Sequence, residues 1–128
     1  YTSIETFPID WSLASQLNYA ELISFENGKN LFEKIHQCEW ITLSSGEGRG
    51  EVQINEFFSL TKLHQTVQST KLKDENFDVV FFDAFAPSTQ PELWEFSVLE
   101  KIIHSLKPNG VFVTYCAQGQ LKRKRKQW

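Results

Sequence analysis

Four apolar residues in succession, Val79-Val80-Phe81-Phe82, run straight into Asp83 and then into Ala84-Phe85-Ala86-Pro87. A bare apolar run without alternation fits a strand covered on both faces, as in a parallel sheet flanked by helices. The acid then stands at the strand's carboxyl end, where open α/β sheets collect ligands and chemistry. Pro87 and Pro91 stiffen the next segment into an irregular loop rather than an immediate helix. An aspartate backed by an aromatic, proline-braced loop is suited to holding a substrate. The plainer alternative is an acid that merely ends a strand.

The rest of the chain alternates strand and helix. Tyr1, Ser3 and Glu5 alternate with Thr2 and Ile4, a pattern too short to assign by period alone. Leu13, Leu17, Ala20, Leu22, Ile23 and Phe25, then Leu31, Phe32 and Ile35, recur at helical spacing and predict two helices broken at Asn27-Gly28. Trp40-Ile41-Thr42-Leu43 reads as a strand, with Glu51-Val52-Gln53-Ile54-Asn55 as its alternating partner. Leu60, Leu63 and Val67 would suit a helix, but Phe58-Ser59-Leu60-Thr61-Lys62 alternates, and the strand is preferred. Beyond Trp94, the positions Phe96, Leu99, Ile102, Ile103 and Leu106 mark an amphipathic helix that Lys107-Pro108-Asn109-Gly110 stops. Val111 to Tyr115 is a second buried strand, parallel to Val79–Phe82 because a helical crossover joins them.

At 128 residues, 41% of them hydrophobic and including eleven Phe and four Trp, the chain can fill the core of one domain. No apolar stretch approaches the roughly 20 residues of a membrane span, and no basic, apolar leader opens the sequence. It starts at Tyr1 inside what reads as a strand and without Met, as an excised piece would. Cys38 and Cys116 are far apart, and His36, His64 and His104 are scattered singly. Neither a disulfide framework nor a metal site is expected, and a reducing, cytoplasmic setting fits. The net charge of −3 hides five consecutive cations, Lys122-Arg123-Lys124-Arg125-Lys126, behind an acidic body.

Gly46-Glu47-Gly48-Arg49-Gly50 has the spacing of a nucleotide-binding loop. That loop works only between a strand and a helix, whose N-terminal amides meet the ligand. Here an alternating strand comes next, so the glycines read as a hairpin loop away from the carboxyl ends of the inner strands.

Several tracts resemble one family: Tyr1-Thr2-Ser3-Ile4-Glu5-Thr6-Phe7-Pro8, the run Val79 to Pro87, Pro91-Glu92-Leu93-Trp94, and Val113-Thr114-Tyr115-Cys116-Ala117-Gln118-Gly119. These look like the methyltransferase domain of the MnmC-like proteins, bifunctional enzymes of tRNA 5-methylaminomethyl-2-thiouridine biosynthesis. The resemblance implies a class I S-adenosylmethionine-dependent methyltransferase: an α/β, Rossmann-like, mainly parallel sheet with a β-hairpin insertion. Residues 1–128 would form a partial, single methyltransferase domain with a basic tail at 121–128. The family's first strand with its glycine-rich cofactor loop would precede Tyr1, and its last strands would follow Gly119.

The resemblance implies S-adenosylmethionine as cofactor, tRNA as substrate, a fused or separate oxidase domain, and no membrane. Glu5, ending a strand, would take the two ribose hydroxyls, for which a carboxylate offers two acceptor oxygens. Where the family carries an acid near the adenine, the strand Phe58–Lys62 leads to His64-Gln65 instead. Asp83 would border both methyl donor and acceptor amine, orienting the amine and taking its proton. Phe85 and Pro87 would shape the acceptor pocket, Tyr115 would face it or pack, and Trp94 would belong to the core. The basic tail would meet tRNA phosphates or be a solvated terminus. Two other readings remain open: a methyltransferase-fold protein acting on another small molecule or a protein, and a non-catalytic binding or structural fragment.

Overall fold

A computed structural model describes residues 1–24, 26–42 and 51–116. Their contacts divide them between two units, Tyr1–Ser69 and Thr70–Trp128. The expected glycine hairpin at Gly46, Gly48 and Gly50 and the basic run from Lys122 lie outside the described residues.

In the first unit, Asp10 begins a single helical turn, α1 (Trp11–Ala14), by accepting the Ser12 amide at 2.7 Å. Hydrogen bonds from the Ser12 side chain, foremost, and from its amide hold the Asp10 carboxyl below its ordinary pKa. A second turn, α2 (Tyr19–Leu22), precedes the break that the sequence predicts. Asn27 takes the left-handed conformation at φ 62°, and α3 (Gly28–Gln37) starts immediately after it. A Cβ at position 28 would run into the Ile23 side chain, so glycine lets the chain fold back there.

Three strands form the sheet of this unit: β1 (Thr2–Glu5), β2 (Glu51–Asn55) and β3 (Phe58–His64), in the order β1-β3-β2. β1 runs parallel to β3, with Thr2 opposite Thr61 and Glu5 opposite His64. The alternating stretch from Phe58 is thus a strand, as expected. The pairing of β2 differs from expectation: its partner is β3, antiparallel, while Ile41 makes only an isolated parallel bridge to Leu63. The physical reason is local. The Asn55 side chain accepts the Phe57 amide at 2.9 Å, closing a tight turn that returns the chain onto β2 at once.

The second unit holds β4 (Phe77–Phe81), α4 (Phe96–His104) and β5 (Leu106–Val113). β4 and β5 are parallel, with Val79 opposite Val111 and Phe81 opposite Val113, as the helical crossover requires. On α4 the apolar spacing buries Val98, Leu99 and Ile102, each worth about 1.5–3 kcal/mol of transfer free energy. Phe82, Ala84 and Trp94 are buried too, and the Phe82 ring meets Trp94 at 5.1 Å and Phe112 at 5.7 Å. Ser105 caps α4 and passes the chain into β5. The register then jumps, since Leu106 faces Phe77 but Val111 faces Val79, so Lys107–Gly110 bulges out. Asn109 is left-handed there at φ 67°, and a Cβ on Gly110 would lie 2.9 Å from the Lys107 carbonyl.

The apolar run departs from expectation in its exposure. Its pattern predicts burial on both faces, but Val79 is 44% and Phe81 64% exposed. A strand sends successive side chains to opposite faces, and the described residues of this unit cover only the face of Phe82.

Candidate functional site

The paired strands β4 and β5 end side by side. The Phe82 amide donates to the Val113 carbonyl at 2.7 Å, one step past the Phe81–Val113 pair. Asp83 and Tyr115 therefore leave the sheet at the same, carboxyl end. Both are exposed, as is Phe85, while Pro87 is half-buried. The loop between them and α4 is held by its own backbone. The Thr89 and Gln90 amides both donate to the Ala86 carbonyl, at 2.8 and 3.0 Å. Pro91 then starts a short 3-10 turn, Pro91–Trp94, that delivers Trp94 to the core. Trp94 is buried as expected, but its indole also donates to the Phe85 carbonyl at 2.7 Å, which apolar patterning does not reveal.

In the first unit Glu5 ends β1 with an exposed carboxylate. Its Oε1 accepts the Phe7 amide at 2.8 Å, and its backbone carbonyl accepts the Gln65 amide at 3.1 Å. The first of these contacts orients the carboxylate, and a carboxylate retains further lone pairs for other donors. Glu5 also borders a cavity of about 460 Å³ whose walls include Tyr1, Phe7, His36, Trp40 and Phe58. That volume falls within the range of small-molecule sites. The neighbouring strand β3 ends at His64, whose ring contacts the Thr6 carbonyl at 3.2 Å.

Lys62, on the floor of this cavity, is not singled out by any sequence pattern. It is 7% exposed, and its ammonium donates to the carbonyls of Ile35, His36 and Cys38 at 3.2, 3.2 and 2.9 Å. The same group sits 4.7 Å from the centre of the Trp40 ring. A helix cannot satisfy its own last carbonyls, and Lys62 reaches across from β3 to do so for α3. Burial pushes its pKa down, against a smaller opposing effect of Cys38. The His36 ring lies near Phe32 at 4.0 Å and Trp11 at 6.1 Å.

The structure thus groups Asp83, Phe85, Pro87 and Tyr115 in the second unit and places Glu5 in the first. No sequence period links Lys62 to the end of α3, so only the passage of β3 by that helix end exposes the role. Among the described residues, no group of three or more His, Cys, Asp or Glu is placed to hold a metal ion. No helix among them is long and apolar enough to cross a membrane.

Residues 27–127 match a protein family described as S-adenosyl-L-methionine-dependent methyltransferase. Over 52 residues the chain is 40% identical to the tRNA 5-methylaminomethyl-2-thiouridine biosynthesis bifunctional protein MnmC of Acinetobacter baylyi, covering 41% of this chain and 8% of that protein. Over 42 residues it is 38% identical to an uncharacterized protein of Methanocaldococcus jannaschii, covering 33% of this chain and 12% of that protein. The chain therefore matches only a small part of the length of either relative. No solved structure matches it.

Proposed function

Because the chain belongs to the family of S-adenosyl-L-methionine-dependent methyltransferases, we propose that it is part of an enzyme that methylates the aminomethyl group of a modified wobble uridine in tRNA. The observation that carries this reading is Asp83, exposed at the shared carboxyl end of two parallel strands and followed by a braced loop bearing Phe85. The partial likeness to a protein of tRNA 5-methylaminomethyl-2-thiouridine biosynthesis supports tRNA as the acceptor. In this reading residues 1–128 are part of one Rossmann-like domain of a cytoplasmic enzyme.

S-adenosylmethionine, when bound, supplies a methyl group made electrophilic by a sulfonium. Glu5 suits its ribose: the carboxylate is exposed, is oriented by the Phe7 amide and retains acceptor capacity for a pair of hydroxyls. Asp83 acts on the acceptor. An amine is a nucleophile only when unprotonated, and a carboxylate beside it accepts a hydrogen bond that aims the nitrogen lone pair. The same carboxylate takes the proton that the nitrogen sheds on gaining a methyl group. Phe85, Pro87 and Tyr115 shape the space for the base that carries the amine. Alignment of the two reactants accounts for most of the acceleration.

Asp83→Asn in the full-length protein tests the reading. Asn keeps the side-chain size but cannot take up the amine proton, so methyl transfer to undermethylated tRNA should fall about two to four powers of ten. A fall in kcat marks a role in the transition state; a rise in KM alone marks a role in holding the amine. A variant as active as the parent, with the same melting temperature, would reduce Asp83 to a strand-end residue.

A further inference from the structure

The geometry points to Gln90 and Trp94 as positioning residues for methyl transfer, which together clip the backbone of Phe85 and so fix the segment carrying Asp83; this rests on the methyl-transfer reading above. The Phe85 side chain is 67% exposed, so burial of its ring does not anchor the loop. Its backbone is held at both polar groups instead. The Phe85 amide donates to Gln90 Oε1 at 3.3 Å, and the Phe85 carbonyl accepts from Trp94 Nε1 at 2.7 Å.

Each partner is itself fixed. The Gln90 amide is tied to the Ala86 carbonyl, in the turn that opens the Pro91–Trp94 segment. Trp94 is 8% exposed, and its ring stands edge-on to Phe82 at 5.1 Å and 75°. One indole therefore touches the residue before Asp83 through its ring and the second residue after Asp83 through its N–H. Asp83 is bracketed between two points that the same rigid side chain sets. The exposed ring of Phe85 is presented by the same grip, since its backbone cannot turn without losing both bonds.

A proton acceptor is sensitive to such bracketing, because a misplacement of about 1 Å can cost a hundredfold in rate. Trp94 and Gln90 need not touch substrate to have this effect. They act through the position of Asp83 and Phe85.

The test uses three variants of the full-length protein. Trp94→Phe keeps an aromatic ring against Phe82 but removes the N–H donor. Gln90→Leu removes the acceptor at similar size, and Gln90→Glu restores an acceptor oxygen. We expect Trp94→Phe and Gln90→Leu to lower kcat about ten- to a hundredfold, with KM for the methyl donor unchanged. Amide exchange should quicken over residues 83–90 in both, whereas Gln90→Glu should keep slow exchange and recover most of kcat. If Trp94→Phe does not fold, Gln90→Leu against Gln90→Glu decides alone. Parent-like exchange and turnover in Gln90→Leu, or a Gln90→Glu variant as impaired as Gln90→Leu, would overturn the proposal. If the parent methylates no acceptor, the methyl-transfer reading fails by itself. The exchange measurement then still decides whether the clip exists: faster exchange confined to residues 83–90 sustains it, and unchanged exchange refutes it.

Discussion

Replacing Lys62 with Met should destabilise the first unit by about 2–4 kcal/mol. Met matches the length and apolar bulk of the lysine stem, so the change isolates the ammonium. That group donates to three carbonyls, two within the last turn of α3 and one just beyond it, at 2.9–3.2 Å. A hydrogen bond from a charged donor contributes about 1.5–3 kcal/mol, and stranding a buried acceptor costs about 1–3 kcal/mol. Two effects reduce the sum. The cation's own burial, which lowers its pKa, is relieved in the variant, and water can reach part of a helix end. The cation also sits at the negative end of the helix dipole, which adds to the loss. For a unit of this size the net loss corresponds to a fall in melting temperature of about 10 °C or more.

The pH dependence arises from the same group. A lysine pKa lowered in the folded state means that the unfolded chain binds more protons between that lowered value and the ordinary lysine value of about 10.4. The pH-dependent part of the stability therefore rises as pH climbs through that window, where the burial penalty on the charge is relieved, and falls back as pH drops to the folded value, below which it is constant. The Met variant should lack the slope. Thermal melts by circular dichroism across alkaline pH, with amide exchange over residues 28–38, measure both effects. A Met variant melting within about 2 °C of the parent, with α3 exchanging as before, would show that Lys62 does not hold the helix end.

Leu99, 2% exposed at the centre of α4, should cost about 2–5 kcal/mol when cut to Ala; urea denaturation followed by tryptophan fluorescence would reveal it, and a loss below about 1 kcal/mol would contradict the packing. Glu5→Gln keeps the oxygen that accepts the Phe7 amide but removes the charge and one acceptor. Cofactor affinity by calorimetry on the full-length protein should weaken about tenfold with the melting temperature held; unchanged affinity would remove Glu5 from the ribose role.

Much of the fold was legible because it is set by short-range sterics and periodicity. The apolar run ending at Asp83 is a strand that stops at Phe81, and α4 comes from three- and four-residue spacing of Val98, Leu99 and Ile102. The helix break at Asn27-Gly28 comes from residues that tolerate a left-handed turn and a close approach. The parallel pairing of β4 with β5 is imposed by the helix between them. The position of Asp83 just past its strand arises from the same patterns, whereas that of Glu5 at the end of β1 was expected from the family resemblance, its own stretch being too short to assign by period.

Tertiary structure decided what depends on residues distant in the chain. Trp40–Leu43 read as the partner of Glu51–Asn55, but the tight turn closed by Asn55 gave that place to Phe58–His64. Val79 and Phe81 read as covered, yet strand alternation left them on the open face of their unit. Lys62 reads as one more surface lysine in an alternating strand. Its burial arises only because β3 passes beneath the end of α3, 24 to 27 residues earlier in the chain. The hold of Gln90 and Trp94 on Phe85 spans five and nine residues of irregular loop. Such contacts carry no sequence period, because directional bonds between loop and core depend on where the backbone comes to rest.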